Sequence, residues 1–177
     1  MTKTLSSKIV FTGQIFDIRR DEIAEGEARY AREVIVHKGS AVIVPVFNDD
    51  TVALVRQYRH PAGKYLLEIP AGSLDGDESP EIGAARELEE EIGVTAGKLE
   101  KLTEFYVSPG FLTEKMFVYL ATDLSETKQN LDEDEIVEIV RIPLTKALEM
   151  TQTGEIEDAK TIIGITLAAS RFGRLKR

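Results

Sequence analysis

The chain has 177 residues, enough for one domain with a sizeable core, and its 42% hydrophobic and 30% charged residues are the balance of a folded globular protein. With no Cys it has neither disulfides nor thiolate chemistry, and its net charge of −9 speaks against a general nucleic-acid binder, which needs a basic footprint. No apolar run approaches the ~20 residues of a membrane span, and the N-terminus lacks the apolar core of an export signal, so the expectation is a cytoplasmic protein without nucleic-acid or membrane partners.

Residues 1 to about 40 alternate apolar and polar side chains around a turn at "AEGEAR". The runs "IVFTGQIFDIRRDEI" and "RYAREVIVHK" predict one antiparallel hairpin, a small N-terminal unit that covers the rest or pairs with a second copy. From Ser40 onward, "SAVIVPVFNDDTVALVRQYR" gives two β-branched runs about the turn Asn48-Asp49-Asp50. "KYLLEIPAG" follows, and "KLEKLTEFYVSPGFLTEKMFVYLATDL" reads as two strands around a Ser-Pro-Gly turn. "IVEIVRIPL" is a last strand, and two helical segments close the chain, the second capped by Asp158, with Arg171, Arg174, Lys176 and Arg177 at its end. His37 and His60 lie far apart and show no metal-ligand spacing.

Between these segments stands "GSLDGDESPEIGAARELEEEIGV", Gly72 to Val94. Ser79 as cap, Pro80 at the first position and Gly93 as a left-handed stop predict a helix from about 80 to 92. At about 100° per residue, Glu87, Glu90 and Glu91 share a face. Ala85, Leu88 and Ile92 are expected on the opposite face, packed on a sheet, with Glu89 pointing away from the carboxylates. Three neighbouring carboxylates repel one another unless the face is solvated or a divalent cation reverses the sign. Mg²⁺ is the hard cation that suits oxygen ligands and bridges carboxylates to phosphates. Arg86, one turn before Glu90, can hold that carboxylate in place.

The spacing matches Gly-x5-Glu-x7-Arg-Glu-U-x-Glu-Glu-x-Gly-U throughout, U being aliphatic. Seven fixed residues at about 0.1 each, over about 150 starting points, make a chance match on the order of 1 in 10⁵. This segment resembles the Nudix box, and the chain is similar to Nudix hydrolases. The resemblance implies an α/β chain, a Nudix-type α/β/α sandwich with a mixed sheet, over residues 41–177, with residues 1–40 as the N-terminal hairpin. It implies hydrolysis of a nucleoside diphosphate linked to another group. Glu87, Glu91 and Glu90 become metal ligands for Mg²⁺, with Mn²⁺ as the alternative, while Glu78 and Arg86 brace the site.

Further segments resemble the ADP-ribose pyrophosphatase branch: "VRQYR", "LEIPAG", "SPG" and "DEDEIVEIVRIPL", with "DAKT" at Asp158 also similar. In "VRQYR", Arg56 and Arg59 are expected to emerge on one side and offer forked donors to a diphosphate. Glu68, in an otherwise apolar run, needs a partner, which the resemblance gives as the substrate or an Arg. The Ala71 carbonyl would complete the metal ligands. Ser108, Gly110 and Phe111 would form a substrate loop, with Phe16, Tyr30 or Phe111 against the base. Glu135 aligns with the catalytic loop acid and joins Glu90 and Arg86 in the catalytic set, with Glu133 in reserve. The implied partners are a nucleotide-sugar substrate and a second copy in a homodimer with exchanged N-terminal strands, bringing Arg32 to the neighbouring site. The expected reaction is Mg²⁺-dependent hydrolysis of ADP-ribose to AMP and ribose 5-phosphate. The alternatives are GDP-mannose, NADH or FAD as substrate, or a non-catalytic ADP-ribose sensor.

Overall fold

Strand and helix signals alternate along the chain, and a computed structural model describing residues 1–131 and 136–175 resolves them into two units. The first comprises Met1–Gly39 and Phe105–Met116. Its strands β1 (Thr2–Thr12), β2 (Asp17–Glu25) and β3 (Ala28–Val36) form an antiparallel meander. The sequence reading ran β1 and β2 together as one arm of a hairpin. The chain instead turns between them, with the Gly13 N–H donating to the Phe16 carbonyl at 3.0 Å. Apolar residues continue through this turn, so alternation alone did not mark it. Phe105–Met116 joins the unit through backbone bonds between Ile35 and both Phe111 and Thr113, and through the Thr113 hydroxyl, which donates to the His37 carbonyl at 3.0 Å.

The second unit, Ser40–Glu104 and Phe117–Arg177, holds most of the core. Its strands are β4 (Ser40–Pro45), β5 (Thr51–Arg59), β6 (Lys64–Glu68), β7 (Ala71–Ser73) and β10 (Val137–Pro143), together with most of β8 (Val94–Tyr106) and β9 (Lys115–Glu126). They order as β7-β4-β9-β8 and β10-β5-β6. Helices α1 (Pro80–Ile92), α2 (Leu144–Thr153) and α3 (Ala159–Arg171) complete the mixed α/β fold.

β4 shows why the layers close as they do. "SAVIVP" is apolar without alternation, and all six residues are buried, as expected of a strand covered on both faces. Ala41 and Ile43 cluster with Ala84, Leu88 and Ile92 of α1. On the other side, a Cβ at Gly164 of α3 would stand 3.0 Å from Val44 and 2.6 Å from Ile69, so this glycine lets α3 lie close against the sheet. Helices on both faces of β4 make the α/β/α sandwich.

α1 spans the residues its caps predict: the Ser79 side chain accepts from the Ile82 N–H, and Gly93 stops it at φ 66°. Its buried face differs from the expected one. Ala85 is exposed, whereas Ala84, Glu87, Leu88, Glu91 and Ile92 are buried. Two of the carboxylates share the inward stripe with Leu88 rather than opposing it, which rotates the packed face toward Ala84.

Candidate active site

The inward carboxylates of α1 meet the backbone of β7. Glu91, 2% exposed, accepts the Ala71 N–H at 3.1 Å. Glu87, 7% exposed, lies so close to Gly72 that a Cβ there would fall inside its carboxylate. Gly72 is therefore required by close approach, not by a turn, since any side chain would displace Glu87. β7 holds this backbone through its antiparallel pairing with β4, Val42 opposite Ala71 and Ala41 opposite Gly72.

On the outer flank, Arg86 ties Glu87 to the other acids. Its guanidinium bonds Glu87 at 2.7 Å, Glu90 at 2.8 Å, Glu78 at 2.8 Å and the Ser73 carbonyl at 3.1 Å. Glu78 in turn accepts the Asp75 N–H at 2.8 Å, tying the loop before the helix to the helix itself. The Arg86 pair holds the Glu78 carboxyl below the usual range, and Glu78 is also the chief reason Arg86 keeps its proton more firmly than an ordinary arginine. The like-charge repulsion within the box is thus offset by one cation on its exposed side.

Glu68, 1% exposed, is enclosed by cations. It accepts a forked pair from Arg59, at 2.7 and 2.8 Å, and a bond from Lys160 of α3. Lys160, itself 7% exposed, also pairs with Asp158 at 3.1 Å. Burial pushes the Glu68 carboxyl up, but Arg59 and Lys160 outweigh it and leave it lowered. Sequence reasoning anticipated a partner for Glu68 and included Arg among the candidates, but it missed Lys160. The signal was present in "DAKT", where a Lys two residues after an N-cap Asp sits in the first turn of a helix that must pack on the sheet.

The two arginines of "VRQYR" do not share a side. Arg59 reaches Glu68, whereas Arg56 pairs with its cross-strand neighbour Glu138 at 3.2 Å and stacks 4.2 Å over the Tyr65 ring. Residues three apart on a strand face opposite ways, which corrects the expectation that both emerge on one side. Arg59, with its side chain 39% exposed, holds its proton more firmly than an ordinary arginine, chiefly because of Glu68.

The other expected substrate residues lie in the first unit. Arg32 stacks over Tyr30 at 4.3 Å. The Ser108 carbonyl accepts the Phe111 and Leu112 N–H groups, Gly110 has open space where a Cβ would be, and Phe111 is 52% exposed. Tyr30 donates to Glu25 at 2.9 Å, and Phe16 is exposed. Glu135 and its reserve Glu133 lie outside the described residues.

Among the described residues, no three Asp, Glu or His side chains draw together as a ready cage for a metal ion. Glu90 is only half-buried, which leaves the buried Glu87 and Glu91 as the inward pair. That donor set fits Mg²⁺, which binds through one or two carboxylates and completes its shell with waters and substrate phosphates. Hard oxygen donors beside a backbone strand, with no sulfur or imidazole, also fit no softer metal as well.

The NUDIX domain family matches residues 37–163. ADP-ribose pyrophosphatase of Bacillus subtilis (strain 168) is 42% identical over 167 residues, covering 92% of this chain and 90% of that protein. GDP-mannose pyrophosphatase of Enterobacter sp. (strain 638) is 37% identical over 147 residues, covering 76% of this chain and 75% of that one. A solved structure described as an ADP compounds hydrolase superposes with a TM-score of 0.87 at 26% identity, over 98% of this chain and 97% of that chain. A box with Glu87 and Glu91 inward on α1, on this fold and with these relatives, makes the chain a member of the NUDIX family, a Nudix hydrolase of the ADP-ribose pyrophosphatase branch.

Proposed function

We propose that the protein hydrolyses ADP-ribose to AMP and ribose 5-phosphate with Mg²⁺. The observation that carries this reading is the pair of buried carboxylates, Glu87 and Glu91, set against the Ala71–Gly72 backbone. Glu87, Glu91 and the Ala71 carbonyl would hold the metal, with Glu90 as a further ligand once Arg86 yields it. When bound, Mg²⁺ supplies positive charge against the diphosphate and Lewis acidity toward phosphorus. Arg86 holds Glu87 and Glu90 in place through its guanidinium bonds. Glu135 takes the proton of the attacking water. A new bond forms from that water oxygen to phosphorus, the bridging P–O bond breaks, and the leaving phosphate keeps the bridging oxygen. Arg59, Ser108, Gly110, Phe111 and Arg32 are our candidates for contacting substrate.

A second substrate has specific support, because a GDP-mannose pyrophosphatase stands among the relatives at 37% identity. The box acts on any nucleoside diphosphate linkage, so the test is a panel of ADP-ribose, GDP-mannose, NADH and FAD with Mg²⁺, beside an EDTA control. ADP-ribose is expected to dominate, and EDTA to abolish the signal. Dominance of GDP-mannose would replace the substrate, while EDTA-resistant turnover would remove the metal from the mechanism.

A homodimer belongs to the same reading. β1 is an edge strand, all eleven of its residues are exposed, and they include Leu5, Ile9, Val10 and Phe11. An apolar open edge of this kind is stabilised by pairing or cover. Light scattering is expected to give twice the chain mass, and a monomer would remove Arg32 from the proposed site.

A further inference from the structure

Glu68 and Ile69 stand just upstream of the backbone that touches both inward carboxylates, and α3 grips the two of them in succession. Lys160 bonds Glu68, and the Ile69 N–H donates to the Thr161 hydroxyl oxygen at 2.9 Å. Thr161 is 0% exposed and 92 residues distant in sequence. Its own hydroxyl proton is committed to Asp158, at 2.6 Å, and the same Asp158 oxygen accepts the Thr161 N–H at 2.9 Å. The hydroxyl is thereby fixed in one orientation, with a lone pair toward Ile69. One residue on, the Pro70 carbonyl accepts the Ile43 N–H at 2.9 Å, and then the Ala71 N–H reaches Glu91. Three consecutive residues are held from three elements: α3, β4 and α1.

We propose that Thr161 is a positioning residue for the metal site. Its hydroxyl, oriented by Asp158, sets the Ile69–Gly72 segment and through it the two carboxylates that segment touches, Glu91 at the Ala71 N–H and Glu87 at Gly72. The proposal rests on the Mg²⁺ reading above. A buried threonine at a helix start would ordinarily close only its own cap. Here the hydroxyl also takes a backbone N–H from the sheet, so removing it releases the strand and not just the helix end. Outer partners of metal ligands commonly cost about 10- to 100-fold in metal affinity when lost.

The test is Mn²⁺ binding, followed by electron paramagnetic resonance and calorimetry on the full chain, for wild type, Thr161→Val, Thr161→Ser and Glu91→Gln. Thr161→Val keeps the shape and loses both hydroxyl bonds. It is expected to weaken Mn²⁺ at least about ten-fold, raise the Mg²⁺ concentration for half-maximal rate in parallel, and leave kcat at saturating Mg²⁺ within a few-fold of wild type. Thr161→Ser is expected to restore affinity. Should the valine variant fail to fold, Asp158→Asn, which keeps a cap but turns an amide toward Lys160, carries the same expectation in weaker form. Wild-type Mn²⁺ affinity in Thr161→Val, with Glu91→Gln impaired, would overturn the positioning role and leave the metal reading standing. Wild-type protein that binds no Mn²⁺, or binding that Glu91→Gln does not disturb, would overturn both.

Discussion

Glu91→Gln is expected to lower kcat for ADP-ribose by more than about 100-fold at saturating Mg²⁺, because even outer partners of a metal site cost about 10- to 100-fold when lost. The substitution keeps the shape of the side chain, and its amide oxygen can still accept the Ala71 N–H that Glu91 accepts at 3.1 Å. What it removes is the charge. Of the box acids on α1 only Glu87 and Glu91 are buried, so the variant halves the negative charge facing the β7 backbone. Glu89→Gln is the matched control, since Glu89 is exposed and its carboxylate accepts from the Thr127 hydroxyl, at 3.1 Å. It should behave as wild type. Equal rates for the two variants would remove Glu91 from the metal site, and equal losses would point to a general acidity of the helix instead of a specific pair.

The box was legible because its determinants are local. Ser79, Pro80 and Gly93 set the limits of α1 without reference to anything else in the chain, and an i, i+3, i+4 spacing fixes which carboxylates are neighbours. Which way that face turned was not local. Opposing Leu88 to the carboxylates assumed that charge points outward, whereas Gly72 leaves room for Glu87, and Arg86 and the Ala71 N–H give the inward carboxylates their donors. The pairing of Arg56 with Arg59 failed for a simpler reason: the period of a strand is two, and three positions cross the sheet. The ion group around Glu68 was half legible. An unpaired carboxylate in "YLLEIP" is costly enough to demand a cation, but the second cation comes from a helix 92 residues away, and no spacing rule reaches that far. In the first unit, the break at Gly13 was hidden because apolar residues continue through the turn between β1 and β2.

That ion group gives the largest expected effect on stability. Glu68→Ala leaves Lys160 buried beside Asp158 alone and frees Arg59 from its fork. Removing one partner of a buried pair costs about 3 to 5 kcal/mol, because the remaining charge stays desolvated. At about 2 to 4 °C per kcal/mol for a chain of this size, the melting temperature should fall by roughly 6 to 20 °C. Arg59 adds little to the loss, since its side chain is 39% exposed and can turn to water. Lys160 cannot, so adding Lys160→Met to a Glu68→Leu background is expected to recover most of the stability, as apolar replacements of a whole buried pair commonly do. The pH dependence has a definite sign. The Glu68 carboxyl is lowered in the folded state, so its contribution is fully present above the ordinary glutamate range, about pH 4.3, and is lost as pH falls through the lower folded value. Melting curves between pH 7 and pH 3 should therefore converge for wild type and Glu68→Ala at the acid end. A gap that stays constant down to pH 3, or a Glu68→Ala loss below about 1 kcal/mol, the value of an exposed pair, would mean that water reaches this group and that the clamp from α3 onto β6 is not a buried one.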